Sequence, residues 1–271
     1  MNTGAVWPSI CRDARTAAAL EPLMATFLHD QILRHDGLPS AVAHIISSRL
    51  DDGLLEAGLL RRLVEEVLQR DAEIVQCIEA DIEAVCERDP ACSGPMDPLL
   101  YYKGLHALSA HRASHWLWLN GRRPLSRWLQ SRVAQCLGVD IHPAARIGRG
   151  ILLDHAHGVV VGETAVIDDN VSILHNVTLG GTGKDAGDRH PKVRSGVLIG
   201  AGALILGNIE IGTGAKVGAG SVVMRPVRPH VTVAGGLARA VGVPATLQPS
   251  MEMNHRVEPE PAALAAVVSA R

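Results

Sequence analysis

The sequence predicts an α+β chain, an N-terminal all-α domain followed by a parallel β-helix with a protruding loop, and three observations carry this. Aliphatic residues recur at every sixth position through Ile141, Ile147, Leu153, Val159, Ala165, Val171 and Val177, and again through Val193, Ile199, Ile205, Ile211, Val217 and Val223. Glycine is frequent three places later, at Gly150, Gly162, Gly180, Gly196, Gly202, Gly214 and Gly220. A period of six matches neither the 3.6 of a helix nor the two of a strand, so it belongs to a coil whose short strands all end in the same turn. Aromatic residues make up only 3% of the chain, which suits a narrow coil filled by Val, Ile and Leu.

Upstream of the repeat the periodicity is helical. Leu60, Leu63, Val64, Val67 and Leu68 share one face, and Ile74, Ile78, Ile82 and Val85 continue the pattern behind Asp71 as N-cap. Pro90 and Gly94-Pro95 interrupt it. Asp97-Pro98 reopens a helix towards Asn120-Gly121, and a last helix runs from Pro124 to about Leu137, with Gly138 as its C-cap. The boundaries expected are therefore a helical domain over 1–138, a β-helix over 139–249 and a mobile C-terminal tail over 250–271, where Glu258-Pro-Glu-Pro261 and a run of alanines offer little to bury.

Val177 and Val193 are sixteen residues apart, one hexad plus a ten-residue insertion. The inserted Gly180-Gly-Thr-Gly-Lys-Asp-Ala-Gly-Asp-Arg-His-Pro191 is rich in glycine, charge and histidine, and loops on a rigid scaffold are where function concentrates. It is not a nucleotide P-loop, because Thr178 stands at the first glycine position and Asp185 follows Lys184. Its glycines would allow close approach of a long thin ligand such as a pantetheine arm; a plain surface loop is the other reading.

A net charge of −2 supplies no basic field for nucleic acid. Five cysteines without C-x-x-C spacing read as free thiols of a reducing compartment. With no signal-like N-terminus and no bilayer-length apolar run, a cytoplasmic protein without membrane association is expected. The densest polar cluster of the repeat is Asp154-His155-Ala156-His157. With roughly eighteen residues per coil, Asp140 and His155 fall in successive coils, where a carboxylate can fix one imidazole nitrogen and leave the other as base. A corner histidine and a junction-capping aspartate are the bland alternative. His155, His157, His175 and His190 also admit an intersubunit zinc site of hydratase type.

Several segments together closely resemble one family. They are Arg88-Asp-Pro-Ala91, Pro98-Leu-Leu-Tyr-Tyr-Lys-Gly-Leu-His-Ala107, His115-Trp-Leu-Trp118, Asp140-Ile-His-Pro-Ala-Ala145, Asp154-His-Ala156, Val161-Gly-Glu-Thr164, Val177-Thr-Leu-Gly-Gly-Thr-Gly-Lys184 and Gly187-Asp-Arg-His-Pro191. The family is serine acetyltransferase, and the resemblance runs from about Arg12 to Gly242. It implies a left-handed hexapeptide-repeat coil and acetyl transfer from acetyl-CoA to the hydroxyl of L-serine, the first step of cysteine biosynthesis. His155 would be the general base and Asp140 its dyad partner, with direct attack in a ternary complex and no metal. Asp89 and Asp154 would take the substrate ammonium, and Arg189 and His190 its carboxylate. Gly181, Ala201, Lys216 and Ala219 are the candidates for acetyl-CoA contacts. Glu163 also falls on a family position, with no step assigned to it.

The resemblance further implies a trimer, with the helical domain joining two trimers into a hexamer, and feedback inhibition by L-cysteine. Two departures bear on partners. Gly236-Leu-Ala-Arg239 replaces a Val-Pro-Ala-Arg type segment, and the last residues are Ala270-Arg271 where chains that dock into O-acetylserine sulfhydrylase present isoleucine, so that complex is expected to be weak or absent. The alternatives are an O-acetyltransferase of the same coil acting on another alcohol, a zinc hydratase and a noncatalytic scaffold.

Overall fold

The computed structural model describes residues 6–51, 53, 57–183, 186–236 and 238–254. The chain divides into two compact units, Met1–Ala144 and Ala145–Arg271.

The first unit is helical. It runs through α1 (Val6–Leu20), a 3₁₀ turn at Pro22–Met24, α2 (Ala25–Leu28), a π turn at His29–Leu33, and α3 (Leu38–Leu50). Then come α4 (Ala57–Arg70), α5 (Ala72–Arg88), α6 (Met96–Tyr101), α7 (Lys103–Leu119), α8 (Arg123–Leu137) and strand β1 (Val139–Ile141). Asp71 caps α5 by accepting the Glu73 N–H at 3.1 Å. Gly138 closes α8 in the left-handed region at φ 67°, which glycine adopts without a Cβ penalty.

The helix expected from Asp97 to Asn120 is two helices. Tyr102 between them is extended, at φ −92° and ψ 104°, and hydrogen-bonds the Asp89 carboxylate, so a tertiary contact overrides helix continuity. Asp97 sits in the first turn of α6, whose N-cap is Pro95, and its carboxylate accepts the Ser93 N–H instead. Helix α7 is buried nearly all round and forms the centre of this unit. On it, Arg112 donates through Nη2 to the fully buried Asp81 of α5 at 2.6 Å. Breaking such a pair costs about 3–5 kcal/mol because one charge is left uncompensated.

The second unit is a parallel β-helix. Its strands in chain order are β2 (Arg146–Ile147), β3 (Leu152–Leu153), β4 (Val159–Val161), β5 (Val166–Ile167), β6 (Ser172–Ile173), β7 (Thr178–Gly180) and β8 (Lys192–Val193). They continue as β9 (Leu198–Ile199), β10 (Leu204–Leu206), β11 (Glu210–Ile211), β12 (Lys216–Val217), β13 (Val222–Val223), β14 (Thr232–Ala234) and β15 (Arg239–Gly242). The faces stack as β2-β5-β8-β11, β3-β6-β9-β12-β14 and β4-β7-β10-β13. The repeat outlasts Val223, because β14 adds to β12 in parallel before β15 turns back antiparallel and ends the ladder.

Strand register refines the hexad count. Val161 pairs with Leu179 eighteen residues on, and Ile205 with Val223 at the same interval. Ile147 pairs with Ile167 and Leu153 with Ile173, twenty on, so two extra residues lie between Leu153 and Val161. Ile167 pairs with Val193 and Leu179 with Ile205, twenty-six on, so the second insertion holds eight extra residues rather than ten. The sixfold series hides the first insertion because Val159, Ala165, Val171 and Val177 are buried as fully as Val161, Ile167, Ile173 and Leu179. In a narrow coil both the strand residue and the one two places before it face inward, so the phase slips by two without an apparent break.

The tail expectation is corrected at its start. Pro249–Glu252 forms a short helix, α9, with Ser250 buried: its N–H donates to the Gly196 carbonyl and its carbonyl accepts the Ser172 hydroxyl. The rest of the expected tail, 255–271, lies outside the described residues. No helix among those described is long and apolar enough to cross a membrane.

The motif residue His106 is structural and makes folding sensitive to pH. It is 3% exposed, and its Nε2–H donates to the Leu99 carbonyl at 2.7 Å. Nδ1 is buried with no acceptor among the described residues, so a second proton has no partner there. Burial, aided by the Arg49 charge, lowers its pKa to about 4. The unfolded chain, with an ordinary imidazole near 6.5, then binds the extra proton first, so stability is full above about pH 6.5 and falls between there and pH 4, by about 3 kcal/mol in all. Urea unfolding at about pH 7 and pH 5 should show this slope, and His106→Gln, which can still donate to Leu99, should flatten it by one proton.

Candidate active site

Each of the two insertions in the coil carries some of the residues singled out by sequence. The two-residue one bends the chain after β3. His155 and Ala156 take φ values of 54° and 56°, a conformation that costs a non-glycine residue about 1–3 kcal/mol. Short backbone bonds hold the bend: Ala156 N–H to the Asp154 carbonyl at 2.6 Å and His157 N–H to the His155 carbonyl at 2.7 Å. Ala156 is buried, which turns its neighbour outward, and the His155 side chain is 77% exposed. A carboxylate oxygen of Asp154 lies 3.8 Å from His155 Nε2, too far for a hydrogen bond. The His155 ring meets that of His175 edge-on, with centroids 5.9 Å apart.

His175 has its own place in the coil. Asn176 N–H donates to the His157 carbonyl, Gly202 N–H to the His175 carbonyl and Gly220 N–H to the Ala201 carbonyl. His157, His175, Ala201 and Ala219 therefore stack at one corner of successive coils. Two of the four acetyl-CoA candidates thus share a column with the histidines. Beside them the corner is lined by Gly202 and Gly220, where an added Cβ would meet nothing within 4 Å. A long ligand can lie against such a bare corner.

Gly181 and Lys216 lie elsewhere. Gly181 stands at the start of the second insertion, with the Arg189 side chain as its neighbour. Lys216, a candidate for acetyl-CoA contact, is covered in this fold. It is 5% exposed, because β14 stacks on it, and it lines a cavity with Thr232, Val243, Thr246, Pro249 and Glu252.

The second insertion folds back onto the coil through Thr164. The Thr164 hydroxyl oxygen accepts the backbone N–H of Arg189 at 3.0 Å and of His190 at 3.1 Å. The Thr164 backbone N–H donates to His190 Nδ1 at 3.2 Å, so that nitrogen is an acceptor and the ring proton sits on Nε2. The imidazole covers Gly162 so closely that a Cβ there would fall 1.9 Å from the ring. Arg189 Nη2 donates to Glu163 at 2.6 Å, which gives Glu163 a role the sequence left open: it aims the guanidinium. Lys192 Nζ donates to Asp188, Thr164 O and His190 O, and this pins the end of the loop. Lys184 and Asp185 lie outside the described residues.

Asp140 and Asp89 belong to the first unit. Asp140 Oδ1 accepts from Gln130 Nε2 at 2.7 Å. Asp89 ends α5, accepts the Ala91 N–H at 2.8 Å and accepts a hydrogen bond from Tyr102, whose phenol is pushed up to about 12 by burial and by the carboxylate. Tyr102 is a residue beside Asp89 that sequence reading passed over, and His175 was singled out there only as a metal candidate. His175 had a signal, its spacing of eighteen from His157, one coil below. Tyr102 lay inside a quoted motif with nothing to mark it.

The serine acetyltransferase N-terminal family profile matches residues 6–110, and that of the bacterial transferase hexapeptide repeat matches 190–225. A serine acetyltransferase of Salmonella typhimurium is 55% identical over 249 residues, 92% of this chain and 91% of that one. Three solved structures are similar throughout. A serine acetyltransferase in complex with cysteine has a TM-score of 0.92 at 48% identity, covering 94% of this chain and 99% of that one. The Brucella abortus enzyme in complex with coenzyme A has 0.87 at 51%, covering 89% and 96%. The soybean enzyme complexed with serine has 0.86 at 54%, covering 88% and 98%.

The packing around the loop predicts an asymmetry between two glycines. Gly162→Ala should cost about 1–3 kcal/mol and displace the His190 ring. Gly181→Ala, whose Cβ meets nothing nearer than 3.6 Å, should stay within about 0.5 kcal/mol. Denaturant unfolding of the two variants checks the ranking.

Proposed function

The chain belongs to the serine acetyltransferase family and is an acyltransferase, and from that premise we propose that it transfers acetyl from acetyl-CoA to the hydroxyl of L-serine, giving O-acetyl-L-serine and CoA. The observation that carries the mechanism is His155, set outward on a two-residue bulge at the foot of the corner column through His175, Ala201 and Ala219. Serine is a poor nucleophile until its proton is removed. His155 takes that proton as the hydroxyl attacks the thioester carbonyl, and returns it to the departing CoA thiolate. No acyl-enzyme forms, and no metal is assigned a step. Asp140 is the dyad partner that fixes the His155 tautomer.

The substrate is a zwitterion, and the residues assigned to it have the matching charges. Arg189, aimed by Glu163, and His190, presenting Nε2–H, take the carboxylate; Asp154 and Asp89 take the ammonium. The serine-bound relative supports this substrate. The coenzyme A-bound relative supports acetyl-CoA as co-substrate, laid along the Ala201 and Ala219 corner of a left-handed coil with Gly181 at its side. Lys216, being buried, is assigned a contact only from the cavity side. The cysteine-bound relative supports L-cysteine as an inhibitor competing for the serine site. In this reading the enzyme is cytoplasmic and works as a trimer paired into a hexamer through its helical domain.

Thiol release from acetyl-CoA should depend on L-serine and not on L-homoserine or sugars, and should survive exhaustive chelation. His155→Ala should lower kcat by about 10² or more, the usual worth of a general base, and a near-normal rate would remove it from that role. Glu163→Gln should raise the KM for serine and leave that for acetyl-CoA in place, as steady-state kinetics with each substrate varied will show.

A further inference from the structure

We propose that Cys86 and Cys92 form a reversible disulfide that reshapes the turn carrying Asp89 and so weakens serine binding. The regulatory half of this inference rests on the substrate role proposed for Asp89; the covalent half does not.

The two thiols bracket that turn. Cys86 lies in the last turn of α5 and Cys92 in the loop that follows, with their sulfurs 3.5 Å apart. Both are half-buried free thiols in the described chain. A disulfide needs the sulfurs at about 2.05 Å, a closure of roughly 1.5 Å that a loop residue can supply. Cys92 is held where it is by weak bonds, its S–H to the Gly94 carbonyl at 3.3 Å and its backbone N–H to the Asp89 carbonyl at 3.0 Å. The second of these ties Cys92 directly to Asp89. The Asp89 carboxylate is in turn set by the Ala91 N–H, one residue from Cys92. Drawing Cys92 onto α5 therefore moves the backbone that orients the carboxylate.

The order of events follows from the surroundings. Burial, followed by its hydrogen bond to Cys92, pushes the Cys86 thiol up to about 12, so Cys86 is not the first attacker. Cys92 as thiolate attacks a small disulfide such as oxidised glutathione, forming a mixed disulfide and releasing one glutathione thiolate. Capping Cys92 removes its share of the upward push on Cys86. Cys86, losing its proton to solvent, then attacks the Cys92 sulfur and releases the second glutathione. Two protein thiols are oxidised, one small disulfide is reduced, and a thiol reductant reverses the sequence.

The test uses the full chain equilibrated in glutathione buffers of graded redox ratio, quenched by alkylation. Peptide mapping should show a Cys86–Cys92 link with a loss of about two mass units that dithiothreitol restores. Oxidation should raise the serine KM at least about threefold with little change in the acetyl-CoA KM, and Cys86→Ser or Cys92→Ser should each abolish the response. Absence of the linked peptide from oxidised wild-type protein overturns the inference, and so does a fully formed link that leaves the serine KM unchanged. Asp89→Asn in reduced enzyme tests the substrate assignment separately: if its serine KM is normal, that assignment fails whether or not the link forms.

Discussion

Vertical register is the constraint on which this molecule turns. Each strand of the coil hydrogen-bonds its counterpart in the next coil, eighteen residues on where nothing is inserted, and its inward side chains must meet their counterparts, as Val161 meets Leu179 and Ile205 meets Val223. Such a ladder cannot absorb an extra residue, because a slip of one would turn the aliphatic face outward. Additional residues have to leave the coil at a corner and return in phase. The two departures present, of two and eight residues, are where the imidazole of residue 155 and the Arg189–His190 pair are found.

Leaving the ladder has local costs that the surrounding groups offset. At the shorter bulge two consecutive non-glycine residues sit in the left-handed region, and the compensation comes from short backbone bonds and from burial of the Ala156 methyl. At the longer one a single hydroxyl, that of Thr164, collects the backbone N–H groups of both Arg189 and His190. The returning loop thereby gains a fixed end. Gly162 is part of the same arrangement, since only a residue without a side chain lets the His190 ring lie against the coil.

Much of this was legible in the sequence, for a physical reason. A coil imposes one environment every six residues, so aliphatics at Ile199, Ile205, Ile211 and Val217 report the fold directly. Caps such as Asp71 and Gly138 were equally readable, because each answers a local backbone need. The phase slip at Leu153 was not, because two inward positions per hexad let Val159 and Ala165 stand in for Val161 and Ile167. The break at Tyr102 was hidden too, since its cause is a carboxylate thirteen positions upstream at Asp89. Lys216 reads as a corner charge until β14 is seen to cover it. The first helices, from Val6 to Leu50, went unread, and in α3 burial on most of the surface leaves no single apolar stripe to mark the helix.

The division of labour among the histidines follows from which nitrogen each has available. A general base needs an unprotonated ring nitrogen able to face substrate. In His190 that nitrogen, Nδ1, already accepts the Thr164 N–H, so what it can offer a ligand is the Nε2–H, a donor suited to a carboxylate. In His106 the proton is on Nε2, committed to the Leu99 carbonyl, and the ring is buried. His175 buries its Nδ1 within the coil corner. His155 stands apart because the bend that strains its backbone also carries its ring outward, beside the bare column of Ala201 and Ala219. The strain and the exposure are one feature. A bulge of one residue would shift β4 by one position and put Val161 outside, whereas two residues restore the phase and lift a single side chain clear of the coil.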